Sequence, residues 1–208
     1  MARNFGLKKR ELAPPRLLNG ITIFDACIAT SNRLNSLLGT HDIDVRMAGM
    51  GDDNIEGNLV GGWLKAIFEW RNHVRPYHDN RPTCYMGLFK NYDLCGMCEV
   101  GLKVTARKKV SLDILFIEGH PDHEDNPLRG YVIPAFAEAT LQIAKASDLK
   151  LIGVDRPGSE TVHQYKRLGY SHHLWDDMKL MKDVGGTAEL NWRALLKHRQ
   201  KQGFCLNG

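Results

Sequence analysis

Nowhere do the 208 residues approach the roughly 18 uninterrupted apolar positions that a membrane-spanning helix requires, so no membrane association is expected. The first 16 residues hold charges and two prolines but no apolar core of a signal peptide, which makes the cytoplasm the expected compartment. No internal repeat is found, and a solenoid is excluded on that ground. Paired cysteines are missing too. Cys27, Cys84, Cys95, Cys98 and Cys205 make an odd set without a secretory signal, the pattern of reduced thiols. The single C-x-x-C, Cys95 to Cys98, has no second pair to complete a four-ligand zinc site. On a strand its two thiols should point to opposite faces. Buried thiols are the expectation.

The body of the chain also lacks net charge. Five of the 28 basic and one of the 24 acidic residues fall in 1–16, leaving 23 of each elsewhere. Arg3, Lys8, Lys9, Arg10 and Arg16 therefore form a basic arm, whose composition is that of a solvated tail and whose charge suits an acidic partner or nucleic acid. What is present reads as an ordinary globular domain, with 43% hydrophobic and 25% charged residues. The expected division is an arm over 1–16, a domain over 17–180 and a basic helix and tail over 181–208.

Along the chain, 17–26 is a β-compatible run with Ile21, Ile23 and Phe24, and 30–38 reads as a helix. Residues 47–56 read as a loop. An amphipathic helix is expected over 59–71, where Val60, Trp63, Leu64, Ile67 and Phe68 recur at helical spacing. The period changes at Thr83. Strands over 83–89, 94–104 and 110–118 form an antiparallel meander, the first two joined by a turn at 90–93. The nearly continuous apolar run of the third predicts a central strand buried on both faces. A polar loop over 119–128 leads to a helix over 129–146, a strand over 149–154, and a helix over 159–168. Ser159 is the expected N-cap of that last helix and Gly169 its left-handed closure. A strand over 170–174 and a basic helix over 187–200 complete an α+β order.

Residues 110–170 carry the chemistry. Arg129-Gly130-Tyr131-Val132-Ile133-Pro134 opens a helix after a hydrophobic strand, and Tyr165-Lys166-Arg167-Leu168-Gly169-Tyr170 follows the next strand. This arrangement resembles the GNAT (N-acetyltransferase) superfamily. Its members carry an Arg/Gln-x-x-Gly-x-Gly/Ala diphosphate loop and a later Tyr-x-x-Leu-Gly-Phe/Tyr element. The resemblance implies a mixed, mostly antiparallel sheet flanked by helices in three α/β/α layers. It also implies acetyl-coenzyme A as cofactor, with the diphosphate on main-chain amides of Arg129, Gly130, Tyr131, Val132 and Ile133. Open amides at a helix N-terminus present donors and a positive dipole end to such an anion. Two positions depart from the pattern: Val132 stands where glycine is usual and should crowd the approach, and Pro134 stands where glycine or alanine is usual.

By the same resemblance Tyr165 donates a proton to the departing thiolate, main-chain groups of Phe116 and Ile117 hold the pantetheine arm, and Ser159 falls near a cofactor-contacting asparagine. A carboxylate of the central strand serves as base, Asp113 first and Glu118 second. Strand alternation puts those two on opposite faces unless a bulge intervenes, and a bulge would also open the pantetheine slot. The implied reaction is acetyl transfer to a primary amine, small-molecule or protein, by direct attack. The alternative is a catalytically inactive structural or binding protein of the same fold, as in phage particles. His120, Asp122, His123, Glu124 and Asp125 could hold a divalent metal but read more simply as a polar loop. His172, His173 and Trp175 fall where an acceptor cleft would lie. Self-association is left open.

Overall fold

Asn19 starts the fold. Its side-chain oxygen accepts from the Ile21 amide at 2.9 Å and caps helix α1 (Gly20–Leu38). The β-compatible reading of 17–26 is thus corrected. Ile23, Ala26, Cys27, Thr30, Ser31 and Leu34 are buried at three- and four-residue spacing, and this helical stripe outweighs the β-branched Ile21 and Ile23. The computed structural model describes residues 18–48, 55, 57–59, 63, 66–70, 74, 82–104, 109–122, 126–173, 176–184, 190 and 192. The basic arm and, apart from Leu190 and Trp192, the helix expected over 187–200 lie outside them.

Seven strands follow: β1 (Ile43–Ala48), β2 (Thr83–Lys90), β3 (Asp93–Val104), β4 (Val110–Gly119), β5 (Leu151–Asp155), β6 (Ser171–His173) and β7 (Asp176–Asp183). They form one sheet in the order β1-β2-β3-β4-β5-β7-β6. Every pairing is antiparallel except β4 with β5, whose connection crosses through helix α2 (Val132–Ala146). The expected meander is β2-β3-β4. Strands β1 and β7 are additions to the sequence reading. Only the first half of β4, from Ser111 to Ile114, is fully buried, a correction to the strand expected to be covered throughout.

Helix α1 covers the sheet edge. Asn35 brackets Ile43, donating to its carbonyl at 2.9 Å and accepting from its amide at 3.0 Å, while the Ser31 hydroxyl accepts from the Val45 amide at 2.8 Å. These bonds satisfy groups that an edge strand would otherwise offer to other chains.

One face of the sheet carries α1 and α2 over a core that includes Val100, Leu112, Ile114, Phe136, Ile143 and Ile152. Helix α3 (Val162–Arg167) sends Tyr165 into the same core. The opposite face is covered by Ile55, Leu59, Trp63, Trp70 and Val74, packed on Phe89, Leu94 and Met97. The amphipathic helix expected over 59–71 is corrected there. Residues 57–59 are helical, but Trp63 and 66–69 are not, and Ile67 is 85% exposed. Gly61 and Gly62 each cost a helix about 1 kcal/mol. The amides of Ile67 and Phe68 bind a carboxylate instead of helix carbonyls. No described helix is long and apolar enough to cross a membrane.

Candidate functional site

The ladder between β4 and β5 holds three residue pairs, Leu112 with Ile152, Asp113 with Gly153 and Ile114 with Val154, and then stops. At the same point the β3–β4 register shifts. Val100 faces Ile114 and Glu99 faces Phe116, so Leu115 is the extra residue of a bulge. The bulge comes where a slot-opening one was expected. It also reverses strand alternation. Asp113 pairs with Gly101 on the face away from α2, and Glu118, five residues on, reaches the Trp70 side of that same face.

At the far end of β4 the chain turns towards α2. Asn126 pins the turn by donating to the Cys95 carbonyl and accepting from the Leu128 amide, both at 2.9 Å. The amides of Arg129 and Tyr131 close local bonds to the carbonyls of Asn126 and Leu128. Those of Gly130, Val132 and Ile133 have no hydrogen-bond partner among the described residues. Gly130 has a φ of 81°, a left-handed conformation that only glycine adopts without strain, which gives the Arg-Gly pair a backbone reason. Arg129 is exposed beside it. Pro134, buried in the first helical turn, gives up no hydrogen bond of the helix interior.

Val132 does not crowd this turn, which corrects the expectation. Its side chain is buried against the core, with Cγ1 2.8 Å from where a Cβ on Gly96 would stand. The glycine missing from the loop has its counterpart in β3. Gly96→Ala should therefore cost about 1–3 kcal/mol through overpacking, measured by denaturant unfolding. The double variant with Val132→Ala should recover most of it; simple additivity would show that the two positions do not share this space.

Tyr165 is 1% exposed and stacks edge-on with Tyr170, ring centroids 5.6 Å apart. Its hydroxyl has no hydrogen-bond partner among the described residues. Burial, with the nearby Cys98, pushes the phenol well above its ordinary pKa, so it holds its proton at any physiological pH. Ser159 is exposed and donates to Glu160 at 3.3 Å. It does not cap α3, whose N-cap is Thr161, two residues later than expected.

Asp113 is fully buried and ion-paired with Lys179 of β7, across β5. Lys179 also reaches the Ser111 hydroxyl at 3.5 Å. The pair meets because Gly153 has no side chain: a Cβ there would strike Asp113 Oδ1. The Glu118 carboxylate accepts three hydrogen bonds, from the amides of Ile67 at 2.6 Å and Phe68 at 3.2 Å and from Trp70 Nε1 at 2.8 Å. Phe116 is 38% exposed, and its ring meets Phe68 edge-on at 5.0 Å. Its cross-strand partner is Glu99, a buried carboxylic side chain that no sequence motif marks.

A second bulge, at Cys95 between β2 and β3, turns both Cys95 and Cys98 into the α1–α2 core, correcting the opposite-face expectation. Burial pushes the Cys27 thiol up to about 12 and Cys95 to about 11, as inert thiols require. Among the described residues no cluster of three metal-ligating side chains forms. His123, Glu124, Asp125 and Trp175 lie outside them; His120 packs edge-on against Trp63 at 5.6 Å, and His172 is exposed.

No family model and no curated protein matches the sequence. Among solved structures, the chain is similar to the GNAT domain of S. lividans PAT at 13% identity and TM-score 0.46, over 68% of this chain and 90% of that one. AtaTR bound with AcCoA matches at 10% identity and TM-score 0.44, over 76% and 98%. Arabidopsis thaliana Naa50, in complex with a bisubstrate analogue, matches at 14% and 0.41, over 66% and 97%. The fold implied by the resemblance, a mixed and mostly antiparallel sheet flanked by helices, is the fold observed.

Proposed function

We propose that the chain is an N-acetyltransferase that moves the acetyl group of acetyl-coenzyme A to a primary amine by direct attack. The observation that carries this reading is the set of three open amides, Gly130, Val132 and Ile133, at the α2 N-terminus beside an exposed Arg129. The first amides of a helix have no acceptor within it, and a diphosphate supplies several at once. The orphaned Tyr165 hydroxyl is a second fit. The bound cofactor would supply an activated thioester.

In this reading Arg129 neutralises phosphate charge, and the main chain at Phe116 and Ile117 holds the pantetheine beyond the β4–β5 pairing. Ser159 contacts the cofactor from beyond β5. Tyr165 gives its proton to the leaving sulfur, since the burial that raises the phenol also raises the basicity of a thiolate formed beside it. The amine loses its proton to solvent at the mouth, because Asp113 is sealed in its pair with Lys179 and Glu118 is occupied by three donors.

Calorimetric titration with acetyl-coenzyme A tests the proposal, and micromolar binding is expected. Tyr165→Phe should leave that affinity within about twofold and lower kcat by a hundredfold or more. The same change removes an unpaired buried hydroxyl and should stabilise the fold by about 1 kcal/mol. Lower stability with equal loss of affinity and turnover would make Tyr165 a packing residue.

A further inference from the structure

The function above leaves the Glu118 carboxylate and the rings around it without a role. Glu118 leaves β4 just past the bulge and gathers two consecutive amides and an indole N–H from residues 67–70. A carboxylate that accepts three such bonds is held in one orientation and fixes the turn it grips. The turn sets the Phe68 ring against Phe116, with a second edge contact to Trp70 at 5.8 Å, and leaves Ile67 in solvent. The strip Ile67–Phe68–Phe116 is therefore a rigid apolar wall at the bulge, on the face away from α2. Across the ladder from Phe116 stands Glu99, a buried carboxylic residue, and within the turn Glu69 is exposed between Phe68 and Trp70.

We infer that this wall is the acceptor-binding surface and selects a primary amine whose adjoining group is apolar, with Glu118 as the positioning residue that holds the wall in place. The inference rests on the acetyltransferase reading. A polycationic acceptor would need several carboxylates along its length, and here Glu118 is occupied by backbone and indole donors and Glu99 is buried, which leaves Glu69 as the one exposed carboxylic residue of this turn. An apolar substituent instead covers ring faces that are part-exposed at Phe116 and an exposed Ile67. One buried aromatic contact of this kind is worth about tenfold or more in discrimination.

The test compares two amines of equal charge, 2-phenylethylamine and ethanolamine, with acetyl-coenzyme A and the full chain. A kcat/KM ratio of about tenfold or more in favour of phenylethylamine is expected. Phe68→Ala should bring the ratio near unity, and Phe68→Leu, which keeps most of the volume, should fall between. Glu118→Gln places an amide NH2 against N–H donors, so it should raise KM for phenylethylamine about tenfold with kcat and the shape of the pH profile kept. Loss of the acidic limb of that profile at constant KM would make Glu118 a base and overturn the inference. A readout without cofactor is the Trp70 indole N–H resonance, which should move on titration with phenylethylamine and stay still with ethanolamine. Equal ratios for the two amines, or a Phe68→Ala ratio equal to wild type, overturn the inference while acetyl transfer itself stands. Absence of acetyl-coenzyme A binding in calorimetry overturns both.

Discussion

Gly130→Asp is expected to lower acetyl-coenzyme A affinity by at least a hundredfold, which in practice means no measurable heat of binding at micromolar protein. Two effects add. A side chain at φ 81° costs about 1–2 kcal/mol, which the loop relieves by abandoning the conformation that presents its amides. The new carboxylate also sits among the open donors of Gly130, Val132 and Ile133, where it takes the place of the phosphate and repels the charge left over. About 2.7 kcal/mol in total corresponds to the hundredfold loss. Gly130→Ala separates the two, since it keeps the strain without the charge and should cost about tenfold. Wild-type affinity in Gly130→Asp would mean that no anion is gripped at this helix terminus.

Lys179→Met should destabilise the fold by about 3–5 kcal/mol, because it strands the Asp113 carboxylate in a site only 1% exposed. For a chain of this length that is a fall in melting temperature on the order of 10 °C. Asp113→Leu combined with Lys179→Met should recover most of the loss, since two apolar groups carry no desolvation debt. The coupling read from the four variants should exceed about 2 kcal/mol. Coupling near zero would mean that the ion pair is solvated and that β4, β5 and β7 are held by their ladders alone.

The strands that place the site were legible because their signals are local. The β2–β3–β4 run shows itself by its short apolar stretches and by the turn at 90–93, where Asn91 has a φ of 56°. Arg129-Gly130 and Tyr165 to Tyr170 could be matched because a left-handed glycine and a buried tyrosine leave a fixed residue pattern. Side-chain direction was not legible. One extra residue at Leu115 and another at Cys95 decide which face Glu118, Cys95 and Cys98 occupy, and a bulge has no signature in a run of apolar residues. Compensation was equally hidden. Val132 looked obstructive because the glycine that accommodates it lies 36 positions earlier, at Gly96. The helix expected over 59–71 failed for the same kind of reason, since its amides are claimed by a residue 50 positions away. The strand β7 was missed because Asp176, Asp177, Lys179, Lys182 and Asp183 mask its alternation.

The short parallel seam beside β4 has one more consequence. Four strands lie on one side of it and three on the other, like two leaves stitched at a spine three stitches long. Apart from the equally short ladder of the edge strand β6, every other ladder of the sheet is longer, so thermal agitation parts the leaves here before the longer seams on either side give way. A guest wedged between them binds only the closed book, and every increment of its affinity is returned as resistance to that parting.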